Sequence, residues 1–147
     1  ILNWDAIKER EKPERTAILD GVPKDLPALA AAEKLQKKAS RAGFDWDTAA
    51  PVWEKCAEEF AELKEAVAEQ DAAHIAEEFG DLLFALVNLS RFLDVDAEMA
   101  LLDANRKFRR RFSCVEKAVN ASGRNWEDFT LKELDAFWDK AKDLERA

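Results

Sequence analysis

Hydrophobic residues recur at helical spacing along most of the chain, and this pattern predicts five helices. Apolar side chains three and four residues apart line one face of an α-helix. The alternation of apolar and polar residues that is typical of strands is absent from the sequence. The predicted helices cover about residues 26–42, 47–69, 71–93, 96–122 and the segment from residue 130 onward. The pattern therefore predicts an all-α fold, a helical bundle of about five helices.

Capping residues mark several of the predicted helix ends. Gly43 suits a left-handed cap after the first helix, Asp71 can cap the third, and Thr130-Leu131-Lys132-Glu133 is a capping box that opens the fifth. Residues 1–25 are rich in turn residues and are predicted to form an N-terminal arm or linker. We expect residues 26–147 to form one helical domain, because 147 residues with 48% hydrophobic content suffice for one core.

Each helix also carries an apolar seam that we expect to be buried. The third helix is apolar on almost every side between Phe79 and Leu93, which predicts burial of the whole helix. In the connection at residues 43–47, two aromatic residues are expected to plug the end of the bundle rather than bind a ligand. The other predicted seams are Trp53, Cys56, Phe60, Leu63 and Val67 in the second helix, Leu101, Phe108, Phe112, Val115 and Val119 in the fourth, and Leu134, Phe137, Trp138, Ala141 and Leu144 in the fifth.

Carboxylates form two pairs on consecutive predicted helices. Glu59 and Glu62 are three residues apart, as are Glu78 and Asp81, and residues at this spacing project from one helix face. The second pair lies at the start of the apolar helix, where buried acids are costly unless they are paired or bound to a metal. A site made only of oxygen ligands suits Mg²⁺, or alternatively Mn²⁺. The competing interpretation is a solvated acidic face that includes Glu58.

Composition argues against several other kinds of site. His74 is the single histidine, and we expect it to be an exposed residue in the first turn of its helix, so a di-iron bundle with two Glu-x-x-His motifs is excluded. Cys56 and Cys114 lie on separate predicted helices, which argues against zinc and fits a reducing, cytoplasmic location. The net charge of -8 argues against nucleic acid or an acidic membrane surface as a partner. Neither a transmembrane segment nor a signal peptide is predicted.

A basic cluster lies on the fourth predicted helix, where residues 106–111 include five cations. Lys107 and Arg111 are four residues apart and share a face. Cations beside a carboxylate-bound metal are what a polyphosphate requires, although a solvated basic face is the simpler interpretation for the other arginines. Asn105 interrupts the apolar seam, so it either fixes the packing register or reaches into the same site.

These motifs resemble the MazG nucleoside triphosphate pyrophosphohydrolases of the all-α NTP pyrophosphatase superfamily. The resemblance covers about residues 19–138, and the paired acidic motif is shared with dimeric dUTPases and dCTPases. The matching segments are Glu58-Glu59-x-x-Glu62, Glu78-x-x-Asp81, Leu-Pro-Ala-Leu at 26–29, Gly-Phe-Asp-Trp at 43–46, Gly-Asp-Leu-Leu-Phe-Ala at 80–85 and Asn-Arg-Lys-Phe-x-Arg-Arg-Phe at 105–112.

The resemblance implies Mg²⁺-dependent hydrolysis of a nucleoside triphosphate to the monophosphate and pyrophosphate, with broad base specificity. It implies Glu59, Glu62, Glu78 and Asp81 as metal ligands and Lys55, Asn105, Lys107 and Arg111 as substrate-binding residues. The base that activates the attacking water is either Glu58 or one of the ligand carboxylates. Trp138 either packs in the core or stacks on the base.

A homodimer is implied as well, and the chain is expected to be the second of two tandem MazG domains. Met99 is the single methionine, so we expect the chain to be part of a longer protein. Two alternatives remain at this point. One is a catalytically silent helical module for dimerisation or partner binding, and the other is a base-specific hydrolase that resembles the dUTPases or dCTPases.

Overall fold

The structure is a computed structural model that describes residues 17–147. Over this range the chain forms five α-helices and two short 3-10 helices without any strand, which confirms the predicted all-α fold. Residues 1–16 of the predicted arm lie outside the described residues. The helices are α1 (Ala28–Arg41), α2 (Ala50–Glu69), α3 (Ala72–Phe92), α4 (Ala97–Ser122) and α5 (Leu131–Arg146), and the 3-10 helices are Ile18–Gly21 and Trp126–Asp128.

The capping residues predicted from the sequence lie at helix ends in the structure. Gly43 has a φ of 102°, as expected for a left-handed residue after α1. The Asp71 carboxylate accepts hydrogen bonds from the backbone N–H groups of Ala73 and His74, at 3.1 and 3.3 Å, which caps α3. Thr130 and Glu133 form the predicted capping box, and the backbone N–H of Thr130 lowers the pKa of Glu133. None of the described helices is long and apolar enough to cross a lipid bilayer.

The described residues group into two compact units, one that ends at Glu98 and one that runs from Met99 to Ala147. In the first unit α2 packs along α3, and α1 packs against α3. The prediction of one domain over residues 26–147 stays a prediction. The core of the first unit consists of Val52, Cys56, Ala85 and Leu89, with Phe92 packed against it.

Helix α2 buries a stripe that lies one residue away from much of the predicted seam. Cys56 is buried as predicted, but the prediction is wrong for Trp53, Phe60 and Val67, which are exposed. Periodicity could not decide between the two stripes, because both run at helical spacing. The buried positions of α2 are Val52, Cys56, Glu59 and Ala66.

Helix α3 is only partly covered, so the prediction that the whole helix is buried is wrong. Its neighbours in the first unit are α1 and α2, and two helices cover only part of the circumference of a third. Large apolar side chains remain exposed at Phe79, Leu83, Phe84 and Leu86. The buried positions are Glu78, Ala85, Val87, Leu89 and Ser90.

The second unit contains α4 and α5. The predicted seams are confirmed at Val115, Val119 and Ala141, which are buried, whereas the prediction is wrong at four exposed positions. Two of the exposed residues, Phe108 and Phe112, stack on each other with ring centroids 5.8 Å apart. Part of the predicted seam is therefore an aromatic surface of this unit. The exposed positions are Leu101, Phe108, Phe112 and Leu144.

Candidate metal centre

Helices α2 and α3 bring three carboxylates to one point in the first unit. Glu59 of α2 and Glu78 and Asp81 of α3 each offer one oxygen, and these oxygens lie within 4.8 Å of one another. Glu59 and Glu78 are only 6% and 9% exposed, whereas Asp81 is exposed. The cluster forms because Glu59 occupies the α2 stripe that is buried against α3. Two of the three acids are therefore held in a setting where an uncompensated charge is costly.

Glu62, the fourth predicted ligand, lies beside this group. It is half-buried, and burial together with the neighbouring Glu59 and Glu78 raises its pKa to about 7. A carboxyl group whose pKa rises this far lies close to other negative charge with little compensation. Glu58, the candidate base, is exposed instead and pairs with Lys55 at 3.5 Å.

Each buried acid is held by one oxygen and leaves the other oxygen without a partner. Lys55 Nζ lies 3.0 Å from Glu59 Oε1, and His74 Nε2 lies 3.1 Å from Glu78 Oε1. The opposite oxygens, Glu59 Oε2 and Glu78 Oε2, are buried and have no hydrogen-bond partner among the described residues. A buried acceptor without a donor is expensive, so this pair of oxygens indicates that a cation belongs between the acids.

His74 holds Glu78 in place, and 38% of its side chain is exposed. The residue is half-buried in the first turn of α3, and its Nδ1 lies 3.1 Å from Glu69 Oε2 at the end of α2. The hydrogen bonds to Glu69 and to Glu78 raise the pKa of His74. The sequence did carry a signal for this contact, since His74 and Glu78 are four residues apart on one helix.

A cleft of about 720 Å³ adjoins the acidic cluster and shares Lys55, Glu59 and Asp81 with it. The other walls come from α1, from the connection after α1 and from α3, all within the first unit. Phe44 and Trp46 of this connection line the cleft and are 84% and 46% exposed, so the prediction that they plug the bundle is wrong.

An ion pair that the sequence analysis missed fixes this connection to α3. Arg91 Nη2 lies 2.9 Å from Asp45 Oδ1, the oxygen that also accepts a hydrogen bond from the backbone N–H of Trp46 at 2.9 Å. Arg91 Nε also donates to Asn88 Oδ1 at 3.0 Å. The sequence contained a signal for this ion pair, because Arg91 is the single cation between Phe79 and Leu93 and therefore needs a partner.

The remaining predicted site residues lie in the second unit. Asn105 and Lys107 are exposed on α4, and Lys107 lines a shallow concavity with Arg106 and Arg110. Arg111 Nε donates to Glu145 at 3.0 Å. Their roles toward a substrate stay predictions.

Trp138 is half-buried within the second unit and touches two other predicted residues. Its ring centroid lies 5.4 Å from that of Phe108, and the Arg111 guanidinium carbon lies 5.8 Å from its ring centroid. These contacts show Trp138 packed inside its own unit. They leave its predicted role in base stacking as a prediction.

The described fold and site define an all-α protein with an acidic candidate metal centre made of carboxylate oxygens. Residues 48–115 match the family model of the MazG nucleotide pyrophosphohydrolase domain. This match confirms the resemblance to the MazG pyrophosphohydrolase domain that was drawn from the sequence motifs.

Curated relatives extend this similarity over nearly the whole chain. The nucleoside triphosphate pyrophosphohydrolase/pyrophosphatase MazG of Thermotoga maritima is 46% identical over 95% of this chain and 54% of its own length. The nucleoside triphosphate pyrophosphohydrolase of Escherichia coli K12 is 42% identical over 97% of this chain and 56% of its own length. The uncharacterized protein YabN of Bacillus subtilis is 46% identical over 99% of this chain and 30% of its own length. The chain thus spans about half the length of the first two relatives.

Proposed function

We propose that the chain is a Mg²⁺-dependent nucleoside triphosphate pyrophosphohydrolase that converts a nucleoside triphosphate and water to the monophosphate and pyrophosphate, with broad base specificity. The relatives from Thermotoga maritima and Escherichia coli K12 are named nucleoside triphosphate pyrophosphohydrolases. The observation that supports it most directly is the pair of buried, unpartnered oxygens on Glu59 and Glu78. Two such oxygens next to a third carboxylate suit a hard divalent cation.

The donor set fits Mg²⁺ and, as the alternative, Mn²⁺. Glu59, Glu62, Glu78 and Asp81 would hold the ion, and all four supply only carboxylate oxygens. When bound, the ion would neutralise charge on the phosphate oxygens and make a water molecule more acidic. The raised pKa of Glu62 supports a bound cation, because positive charge there would relieve the repulsion among the carboxylates.

The protein itself would orient the reacting groups. Lys55 and His74 each hold one ligand carboxylate by a single oxygen, which directs the opposite oxygen toward the ion. Lys107 and Arg111 would bind the polyphosphate, with Asn105 beside them. Glu58 would accept the proton of the attacking water while the bond from the α-phosphorus to the bridging oxygen breaks and pyrophosphate leaves.

The exposed apolar surface of the first unit supports a homodimer. Trp53, Phe60 and Val67 recur every seven residues along α2, and all three are exposed. Exposed apolar surface of this extent is typical of an interface. Sedimentation of the purified chain would show a mass twice that of 16.7 kDa if the dimer forms.

The proposal is tested by the release of pyrophosphate from the eight common ribo- and deoxyribonucleoside triphosphates, with Mg²⁺ and with EDTA. We expect Mg²⁺-dependent release from several bases. Release from a single pyrimidine nucleotide would instead support a base-specific hydrolase. No release from any nucleotide would support the silent interaction module.

A further inference from the structure

Arg91 joins the connection between α1 and α2 to α3 through several nitrogens of its guanidinium group. Nη2 and Nη1 donate to the two carboxylate oxygens of Asp45, at 2.9 and 3.4 Å. Nε donates to Asn88 Oδ1 at 3.0 Å, one turn earlier on α3. Only 11% of the Arg91 side chain and 26% of the Asp45 side chain are exposed. The ion pair therefore has a fixed geometry, because a planar guanidinium with two partners has little freedom to rotate.

The connection between α1 and α2 depends on this ion pair for its position. Burial of its aromatic side chains does not hold it, since Phe44 and Trp46 are 84% and 46% exposed. Its first residues are bound to the end of α1, where the backbone N–H of Phe44 donates to a carbonyl of that helix at 3.0 Å. Further along, the Asp45 carboxylate binds both Arg91 and the backbone N–H of Trp46. Asp45 thus links the backbone of the connection to α3.

Helix α3 carries both the partner of Asp45 and two of the candidate metal ligands. Asn88 and Arg91 follow Asp81 by seven and ten residues, and residues at this spacing lie on one side of an α-helix. All three line the cleft of about 720 Å³ that adjoins the acidic cluster, and the connection forms another wall of the same cleft. The distance between this wall and the acidic cluster is therefore set along one helix.

Stability alone is a poor explanation for the ion pair. A buried ion pair is often no better for stability than apolar residues of similar volume, because both charges lose their hydration. Arg91 nevertheless interrupts the apolar stretch of α3. The pair provides a fixed position for the connection instead. A wall that is fixed before binding lowers the conformational entropy that is lost when a ligand binds against it.

We propose that Arg91 is a positioning residue for the reaction: through Asp45 it holds the connection against α3, so that the cleft beside the metal centre is already formed when the substrate binds. The inference rests on the proposed function, because a substrate held at Glu59 and Asp81 would extend into the cleft that these two residues also line. Arg91 acts through the connection and not on the reacting atoms. Its removal should therefore weaken nucleotide binding and leave the chemical step unchanged.

Arg91→Met tests this role, and Asp45→Asn is a second variant that keeps an acceptor for the backbone N–H of Trp46. We expect each change to raise KM for nucleoside triphosphates on the order of tenfold and to leave kcat within about twofold. Inhibition by inorganic tripolyphosphate, which carries no nucleoside, should be unchanged. An unchanged KM in both variants, or a tripolyphosphate inhibition that weakens as much as nucleotide binding, would overturn the proposal.

A matched control and a double variant separate positioning from a general loss of stability. Arg124 pairs with Glu133 at 3.3 Å in the second unit, so Arg124→Met should lower the melting temperature and leave KM unchanged. The double variant Arg91→Met, Asp45→Asn should raise KM no more than either single variant, because both changes remove the same ion pair. Increases that multiply in the double variant, or an equally raised KM in Arg124→Met, would contradict the positioning role.

Failure of the proposed function can be separated from failure of this inference. If the unmodified chain releases no pyrophosphate, hydrolysis is refuted, and calorimetry with α,β-methylene ATP and Mg²⁺ still tests Arg91. Binding that is on the order of tenfold weaker in Arg91→Met supports the positioning role. Equal binding, or no binding by the unmodified chain, refutes it. Without nucleotide, hydrogen exchange at the Trp46 amide should be faster in Arg91→Met, and an unchanged rate would also refute the role.

Discussion

The two units of the chain differ in how many of their clustered charged side chains have hydrogen-bond or ion-pair partners. In the first unit, three carboxylates meet, and two of their oxygens are buried without any hydrogen-bond partner among the described residues. In the second unit, the basic cluster of α4 is largely paired. Arg106 binds Asp103 at 2.7 Å, and Arg110 and Arg111 bind Glu145 at 3.5 and 3.0 Å.

This difference shows that charge density alone does not identify a site. Five cations within six residues are as conspicuous in the sequence as the acids, yet three of the arginines have partners in their own unit. The acids have partners for only some of their oxygens. Unsatisfied buried charge is therefore the better indication of a missing ligand.

The largest effect is expected from removing one ligand charge in the first unit. Glu59→Gln or Asp81→Asn nearly preserves side-chain volume and should lower pyrophosphate release by at least about a hundredfold, since even residues that only support a metal ligand contribute 10–100-fold. Steady-state kinetics at saturating Mg²⁺ measures this. Glu54→Gln, a change at an exposed acid of the same helix, serves as the matched control. Near-normal turnover in either ligand variant would refute the acidic centre.

The next effect concerns the two residues that hold the acids. His74→Ala and Lys55→Met should each weaken Mn²⁺ binding about 10–100-fold, because the carboxylate they orient becomes free to rotate. Calorimetric titration of the chain without substrate measures this affinity. His74→Gln keeps a donor for Glu78 and should retain most of the binding. Equal losses in His74→Ala and His74→Gln would contradict a positioning role for the hydrogen bond.

A smaller effect is expected in the second unit, at Lys107. This lysine differs from three neighbouring arginines, which have ion-pair partners. Lys107 is exposed and has no ion-pair partner among the described residues, so it remains available to a polyphosphate. Lys107→Met should raise KM on the order of tenfold and leave the melting temperature unchanged. Lys117→Met, at another exposed lysine of α4, should change neither quantity. Equal KM changes in the two variants would remove Lys107 from the site.

The smallest effect is a pH dependence of the metal-free protein. The pKa of Glu62 is raised to about 7 from its ordinary value of 4.5, so the folded chain binds more protons than the unfolded chain between these values. The free energy of unfolding in EDTA should therefore fall as the pH rises through this range and level off above it. His74, whose pKa is also raised, contributes in the same direction. Urea unfolding of Glu62→Gln should show a shallower slope, and an identical slope would contradict the assignment.

Features set by neighbouring residues could be predicted from the sequence. The helix caps at Asp71 and Thr130 depend on side chains that form hydrogen bonds with the backbone a few residues away. The residue types in the sequence were therefore sufficient to predict both caps. The acidic residues were singled out by their spacing, and the structure places Glu59, Glu78 and Asp81 together.

Features that depend on which helix face meets another helix could not be predicted. Two stripes of α2 run one residue apart at the same spacing. The exposed stripe contains the larger apolar residues, so the sequence pattern predicted burial of the wrong stripe. The cleft was missed for the same reason, because Gln36 and Arg91 become neighbours of the 43–46 segment only after α1 and α3 pack. Sequence periodicity contains no information on that packing.

The central claim is that the acidic cluster of α2 and α3 binds a divalent cation in the folded state. Thermal unfolding of the metal-free chain across a Mg²⁺ titration tests it directly. A folded-state site predicts a saturable rise in melting temperature of roughly 5–10 °C once Mg²⁺ exceeds its dissociation constant about a hundredfold. The rise should disappear in the Glu59→Gln, Asp81→Asn double variant. An unchanged melting temperature in the unmodified chain, or an equal rise in the double variant, would contradict the claim.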